Sequence, residues 1–147
     1  MEQFMTALLI WITANSAYPM PHTLPVVEYR TSDALVQMRF CAEERCTSEE
    51  LEKLPAISVI ALFDHEKLTM YLDKSIDYTQ GEHRGSLVHE LVHYLQARAE
   101  KFGRYCIGLL EAEAYDLEDR WRVENGFPKI RRNPAVMMMT DCGPGPT

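Results

Sequence analysis

Between Ser86 and Phe102 the chain carries neither Pro nor Gly, and Leu87, Val88, Leu91, Val92 and Leu95 recur there at helical period. A segment with that pattern is committed to a helix that buries an apolar side. Set among these positions is His89-Glu90-Leu91-Val92-His93, an H-E-x-x-H motif. Residues four apart lie about 40° apart around a helix axis, so both imidazoles project from one face. That is the spacing two nitrogen ligands need to share one metal ion at roughly 2.0–2.1 Å. Glu90, beside the first histidine, flanks the same spot and can accept a proton from a water activated by the metal. The competing reading is two histidines merely packed or solvated on a helix. The uninterrupted apolar context favours the metal site.

A zinc site used for hydrolysis takes three protein ligands and keeps a position open for water. The third ligand is expected from a second element. Leu109 to Trp121 reads as a helix with Leu110, Ala114, Leu117 and Trp121 on its inner stripe. Glu111 and Glu113 flank that stripe, about 200° apart around the axis, so only one of them can face the metal. Cys106, a few residues earlier, is expected to be a small buried residue, with ligation as the lesser alternative.

This pattern resembles the gluzincin metallopeptidases, in which the H-E-x-x-H helix is followed by a helix bearing a glutamate ligand. Several such families write the second motif as Glu-x-x-Ala and a polar residue, which Glu111-Ala-Glu-Ala114-Tyr115 fits with Glu111 as the ligand. Glu113 fits a looser rule, a ligand about twenty residues beyond the second histidine, and stands as the alternative. The strand-like Ile57 to Phe63 and Leu68 to Asp73, together with both motifs, look like a bacterial family of short H-E-x-x-H proteins, over about half of the chain. The resemblance implies an α+β, zincin-like fold, with a small hairpin or sheet packed on the two metal-bearing helices. It further implies a Zn2+ cofactor and hydrolysis of a peptide or protein substrate, with Glu90 as general base, without naming that substrate. No transition-state histidine or tyrosine stands in a recognisable motif. Tyr115, Tyr105 and His83 are the candidates for the oxyanion donor that the chemistry requires. Asp116 and Glu118 could orient the imidazoles through their second nitrogens, but both read first as ordinary helix-surface acids, with Glu118 near the inner stripe. The rival reading is a non-catalytic protein, either stapled by zinc or a metal-free helical interaction module.

The chain has 147 residues, enough for one domain, expected over residues 1–135 with an irregular, disordered tail over 136–147. So short a chain leaves little room for a deep cleft with many subsites, which favours narrow specificity. A net charge of −7 argues against a nucleic-acid partner; the basic run Lys129, Arg131, Arg132 is a local exception read as solvated surface. Phe4 to Ile12 is apolar at signal-peptide length, but the residues before it include Glu2 and no Lys or Arg. It is too short to span a membrane. It reads as a first helix ended at Asn15 and favours a cytoplasmic protein, the alternative being export with residues 1–17 as a signal. Four cysteines leave the compartment open: Cys41 and Cys46 could pair across a short loop, while Cys106 and Cys142 stand alone.

Elsewhere, Val26 to Tyr29 reads as a short strand, and Thr31-Ser-Asp33 caps a helix reaching about Phe40. Ala42 to Lys53 is a charged surface helix or loop with a capping-box signature at Thr47. Ile57 to Phe63 and Leu68 to Asp73 are the clearest strands, joined by a link of hairpin length. One of these strands is expected to border the cleft and pair with an extended peptide. His65 and His83 are expected at the surface.

Overall fold

A computed structural model describes residues 1–41, 47, 49, 59–130 and 142. Among them four helices surround a three-stranded sheet: α1 (Glu2–Ala14), β1 (Val26–Arg30), α2 (Ser32–Phe40), β2 (Ala61–Asp64), β3 (Thr69–Asp73), α3 (His83–Arg98) and α4 (Ile107–Glu124). The class is α+β, as expected. The charged stretch around Thr47, the start of the strand expected from Ile57, and the tail other than Cys142 lie outside the described residues, as do Arg131 and Arg132.

The sheet order is β1-β3-β2. The β2–β3 pair is an antiparallel hairpin in the register Ala61 to Leu72 and Asp64 to Thr69. Its turn is built by Asp64, whose Oδ1 accepts from the backbone N–H of Glu66 at 2.9 Å and of Lys67 at 3.0 Å. β1 joins the other side of β3 in parallel, Val26 opposite Thr69. The middle strand is therefore buried along its whole length. Tyr78 ties its far end: the hydroxyl accepts from Asp73 N–H at 2.9 Å and donates to the carbonyl of Ile60.

The helices pack because their apolar stripes match. α1 buries Met5, Leu8, Leu9 and Ile12 against the core, while Ile10 on its outer side is exposed. The Phe4 to Ile12 segment is thus a packed helix, but not one buried all round. α3 makes its most extensive contacts with α4 and also packs on α1 and β2. Covered from these directions, every residue of α3 from Leu87 to Gln96 is buried, polar ones included. Leu110, Ala114, Leu117 and Trp121 of α4 are all buried, as their spacing predicts.

α3 begins three residues before Ser86 and takes in Gly85, which is buried. A Cβ there would lie 3.0 Å from Arg122 Nε, so glycine is what lets α4 approach. The helix also stops at Arg98, although no Pro or Gly follows until Gly103. Glu100 takes up a left-handed backbone (φ 57°), and Lys101 N–H returns to Gln96 O at 3.0 Å. At the other side of the connection Cys106 caps α4, its Sγ accepting from Leu109 N–H at 3.4 Å.

Candidate metal centre

The helical spacing puts His89 and His93 on the side of α3 that faces α4, and Glu111 meets them from the first full turn of α4. The three ligand atoms converge. His93 Nε2 is 3.2 Å from His89 Nε2 and 2.7 Å from Glu111 Oε1, and His89 Nε2 is 3.2 Å from Glu111 Oε2. Donor atoms held tetrahedrally around zinc at 2.0–2.1 Å stand roughly 3.3 Å from one another. The described residues contain this one group of three side chains with atoms placed to hold a metal ion. Both histidine side chains are nearly buried, at 9% and 7% exposed, while Glu111 at 20% leaves one approach open.

Each imidazole is held on its second nitrogen. His93 Nδ1 lies 2.8 Å from Gln96 Oε1. His89 Nδ1 lies 3.1 Å from Glu118 Oε1. The second contact is close without being aligned as a hydrogen bond, so a slight ring rotation completes a carboxylate–histidine pair. Glu118 is itself fixed by Arg122, whose Nε donates to Oε2 at 2.7 Å. Arg122 Nη1 in turn lies 3.5 Å from Glu82.

The electrostatics follow from burying this set together. Burial by itself lowers the pKa of His89, but Glu111, Glu118 and Glu90 outweigh it and hold the imidazole well above its ordinary value. Burial pushes Glu111 up, and the two imidazoles more than reverse this, leaving it well below the usual carboxylate range. Glu90 goes the other way. Its burial dominates the pull of the two imidazoles, and Glu111 and Glu118 add to the rise. A buried carboxylate with a raised pKa beside a cluster of ligands is suited to exchanging protons.

Glu113, the alternative ligand, is not with the group. Its Oε1 accepts from Gln96 Nε2 at 2.9 Å and from the Tyr18 hydroxyl. The two-residue offset turns it to the opposite flank of α4, toward the α1–β1 connection. Tyr115 lies with its ring against His89, centroids 4.3 Å apart. Burial, then Glu111, Glu118 and Glu90, raise its pKa far above the ordinary value, so the hydroxyl keeps its proton. Tyr105 is exposed, with Lys101 near its ring. His83 opens α3, nearly two turns before His89, and meets Tyr78 edge-on. His65 is exposed as expected but lies at the rim. It stacks on Phe102 at 4.3 Å, and Phe102 packs toward His93 at 6.0 Å.

Two expectations need correcting. Glu118, read with Asp116 as an ordinary surface acid, is buried and reaches an imidazole, whereas Asp116 is exposed as that reading has it. Cys106 is neither a buried thiol nor near-ligand, because it forms a disulfide with Cys142 across a separation of 36 residues. Gln96 was missed, although its position three residues after His93 puts it on the same helical face. Arg122, four residues after Glu118, carries a similar signal. Tyr18 carries none, since only the folded chain brings it to Glu113.

An α+β fold in which one helix presents two histidines and the next a glutamate is thus the class of this molecule. The chain belongs to the family described as "Domain of unknown function (DUF6647)", which matches residues 1–145. No curated protein and no solved structure matches it. No helix among the described residues is long and apolar enough to cross a membrane.

Proposed function

We propose that this protein is a zinc-dependent peptidase with a zincin-like arrangement of its strands and two metal-bearing helices. One observation carries the reading: His89 Nε2, His93 Nε2 and the Glu111 carboxylate converge at 2.7–3.2 Å. Apart from protons, only a cation reconciles so many acceptor atoms at that separation in a buried site. The donor set suits zinc, and imidazole and carboxylate would also accept other divalent ions. Zinc held there supplies Lewis-acid activation of water and of a substrate carbonyl.

The protein's own residues do the rest. Glu118 and Gln96 keep the imidazoles oriented. Glu90 takes the proton of the attacking water and delivers it to the leaving amine, a role for which its raised pKa prepares it. Tyr115, protonated beside His89, is the candidate donor to the oxyanion. β2, at an edge of the sheet and packed on α3, offers backbone groups to an extended peptide. The near-burial of both histidines also favours a second reading, a zinc that only staples α3 to α4.

Glu90→Gln separates them. Assayed for zinc content and for cleavage of a peptide library, this variant is expected to keep the metal and lose turnover. Equal cleavage by wild type and variant removes the general-base role; retained zinc with no cleavage by the wild type favours the staple.

A further inference from the structure

We propose that Phe102 and Ile107 form a subsite that selects a large apolar side chain of the substrate, next to the bond that is cut. The proposal rests on the peptidase reading above and names the class of peptide that such an enzyme takes.

The two metal-bearing helices run antiparallel. Gly85, near the start of α3, meets Arg122 near the end of α4, and Gln96, near the end of α3, donates to the carbonyl of Leu110 near the start of α4. The ligand cluster therefore has one end toward the α3–α4 connection and one end away from it. At the far end stands Tyr115, its ring 4.3 Å from that of His89. At the connection end stands Phe102, its ring 6.0 Å from that of His93. Ile107, the first residue of α4, belongs to the same end: it lies four residues before Glu111 and so on the same side of the helix. A hydroxyl thus flanks the ligands at one end and two apolar side chains flank them at the other. With its carbonyl oxygen turned to Tyr115, a substrate finds apolar partners for a side chain at the connection end.

Phe102 is half-buried and held in place. Its ring stacks on His65 of the β2–β3 turn, centroids 4.3 Å apart and planes 3° from parallel, and its backbone bridges to Tyr105. The stack joins the hairpin to the α3–α4 connection, so the subsite is continuous with β2, the strand offered to an extended peptide. Ile107 is 57% exposed. Leu109 is equally exposed, but two residues further on it lies about 200° around the helix and looks away from the ligands. Single exposed apolar residues such as Leu109 are ordinary surface. Ile107 differs by its place beside a ligand and at the same end as a fixed aromatic ring. Neither Phe102 nor Ile107 has a polar side-chain atom, so what the pair recognises is apolar area.

The test titrates zinc-loaded protein with N-acetylated amino-acid hydroxamates, zinc-binding probes that differ only in side chain, beside cleavage of a peptide library. Wild type is expected to bind the phenylalanine hydroxamate about 10-fold or more tightly than the glycine one, the worth of burying one such side chain. Library peptides cut by the wild type should carry a large apolar residue beside the broken bond. Phe102→Ala and Ile107→Ala should each shrink the phenylalanine-to-glycine ratio roughly 3- to 10-fold, the ratio within one variant cancelling any general loss of zinc. Ile107→Glu, at an exposed position that the fold does not depend on, should raise binding of the lysine hydroxamate relative to the phenylalanine one, a change that a merely structural role would not produce. Equal binding of the phenylalanine and glycine probes by the wild type overturns the subsite, as does a ratio that no variant moves. Selective binding without cleavage of any peptide keeps the subsite and removes the peptidase reading, cleavage without apolar preference does the reverse, and a wild type that takes up no zinc removes both.

Discussion

Glu90 and Glu111 lie in one cluster and are driven in opposite directions, the first raised and the second lowered. Position against the imidazoles decides this: Glu111 bonds to both, whereas burial dominates for Glu90. The difference has a consequence for stability. His89, raised, contributes stability fully present below its ordinary 6.5 and lost as pH rises through its higher folded value. Glu111, lowered, contributes stability present above its ordinary 4.5 and lost only as pH falls through its depressed value. Metal-free protein should therefore be most stable in the mildly acidic window between those values. Zinc needs both imidazoles deprotonated, so the rise in Tm on adding zinc should grow between about pH 5.5 and about pH 8. Thermal melts with and without zinc check this, and an equal gain at both pH values contradicts it. Glu90→Gln should lower turnover by about 10²- to 10⁴-fold at unchanged zinc content. His89, Glu90 and His93 were legible because their chemistry depends on spacing along one helix. The Glu-x-x-Ala pattern favours Glu111 over Glu113, but the place each side chain takes depends on how α4 is rotated against α3, which no local pattern records.

The α3–α4 pair is the element on which the site depends, and one glycine controls its separation. Gly85→Ala gains up to about 1 kcal/mol of helix propensity. It also places a methyl group 3.0 Å from a guanidinium that is buried and bonded to Glu118. Moving the guanidinium aside would disturb its bond to Glu118, so the variant is expected to melt at lower temperature and bind zinc more weakly; a higher Tm with unchanged affinity would contradict this. Elsewhere the caps act locally. Thr31 Oγ1 accepts from Ala34 N–H at 3.1 Å, and Thr31→Ala should cost about 1 kcal/mol in denaturant unfolding without touching zinc affinity. Element ends divided by mechanism. The start of α2 was readable because Thr31 is a side-chain cap. The end of α3 was not, since Glu100 adopts a left-handed backbone where a glycine would have announced it.

Across the whole molecule, the features that escaped the sequence are those made by distant residues. The hairpin β2–β3 is local and was visible; the parallel seating of β1 on β3 joins segments about forty residues apart and left no pattern. The same holds for the disulfide between Cys106 and Cys142, which encloses all of α4. Cys41 is disulfide-bonded as well. Closing a loop of this length stabilises a chain by about 3–4 kcal/mol on chain-entropy grounds. Cys142→Ser should lower unfolding free energy by an amount of that order, whereas an unchanged midpoint would show that the bond does not form. The central claim, that His89, His93 and Glu111 together hold a metal, is tested most directly by metal stoichiometry. Tag-free protein, purified without added metal and then offered zinc, should carry about one zinc per chain by native mass spectrometry, and His93→Ala should carry none. A wild-type protein that remains metal-free after incubation with zinc would contradict the account.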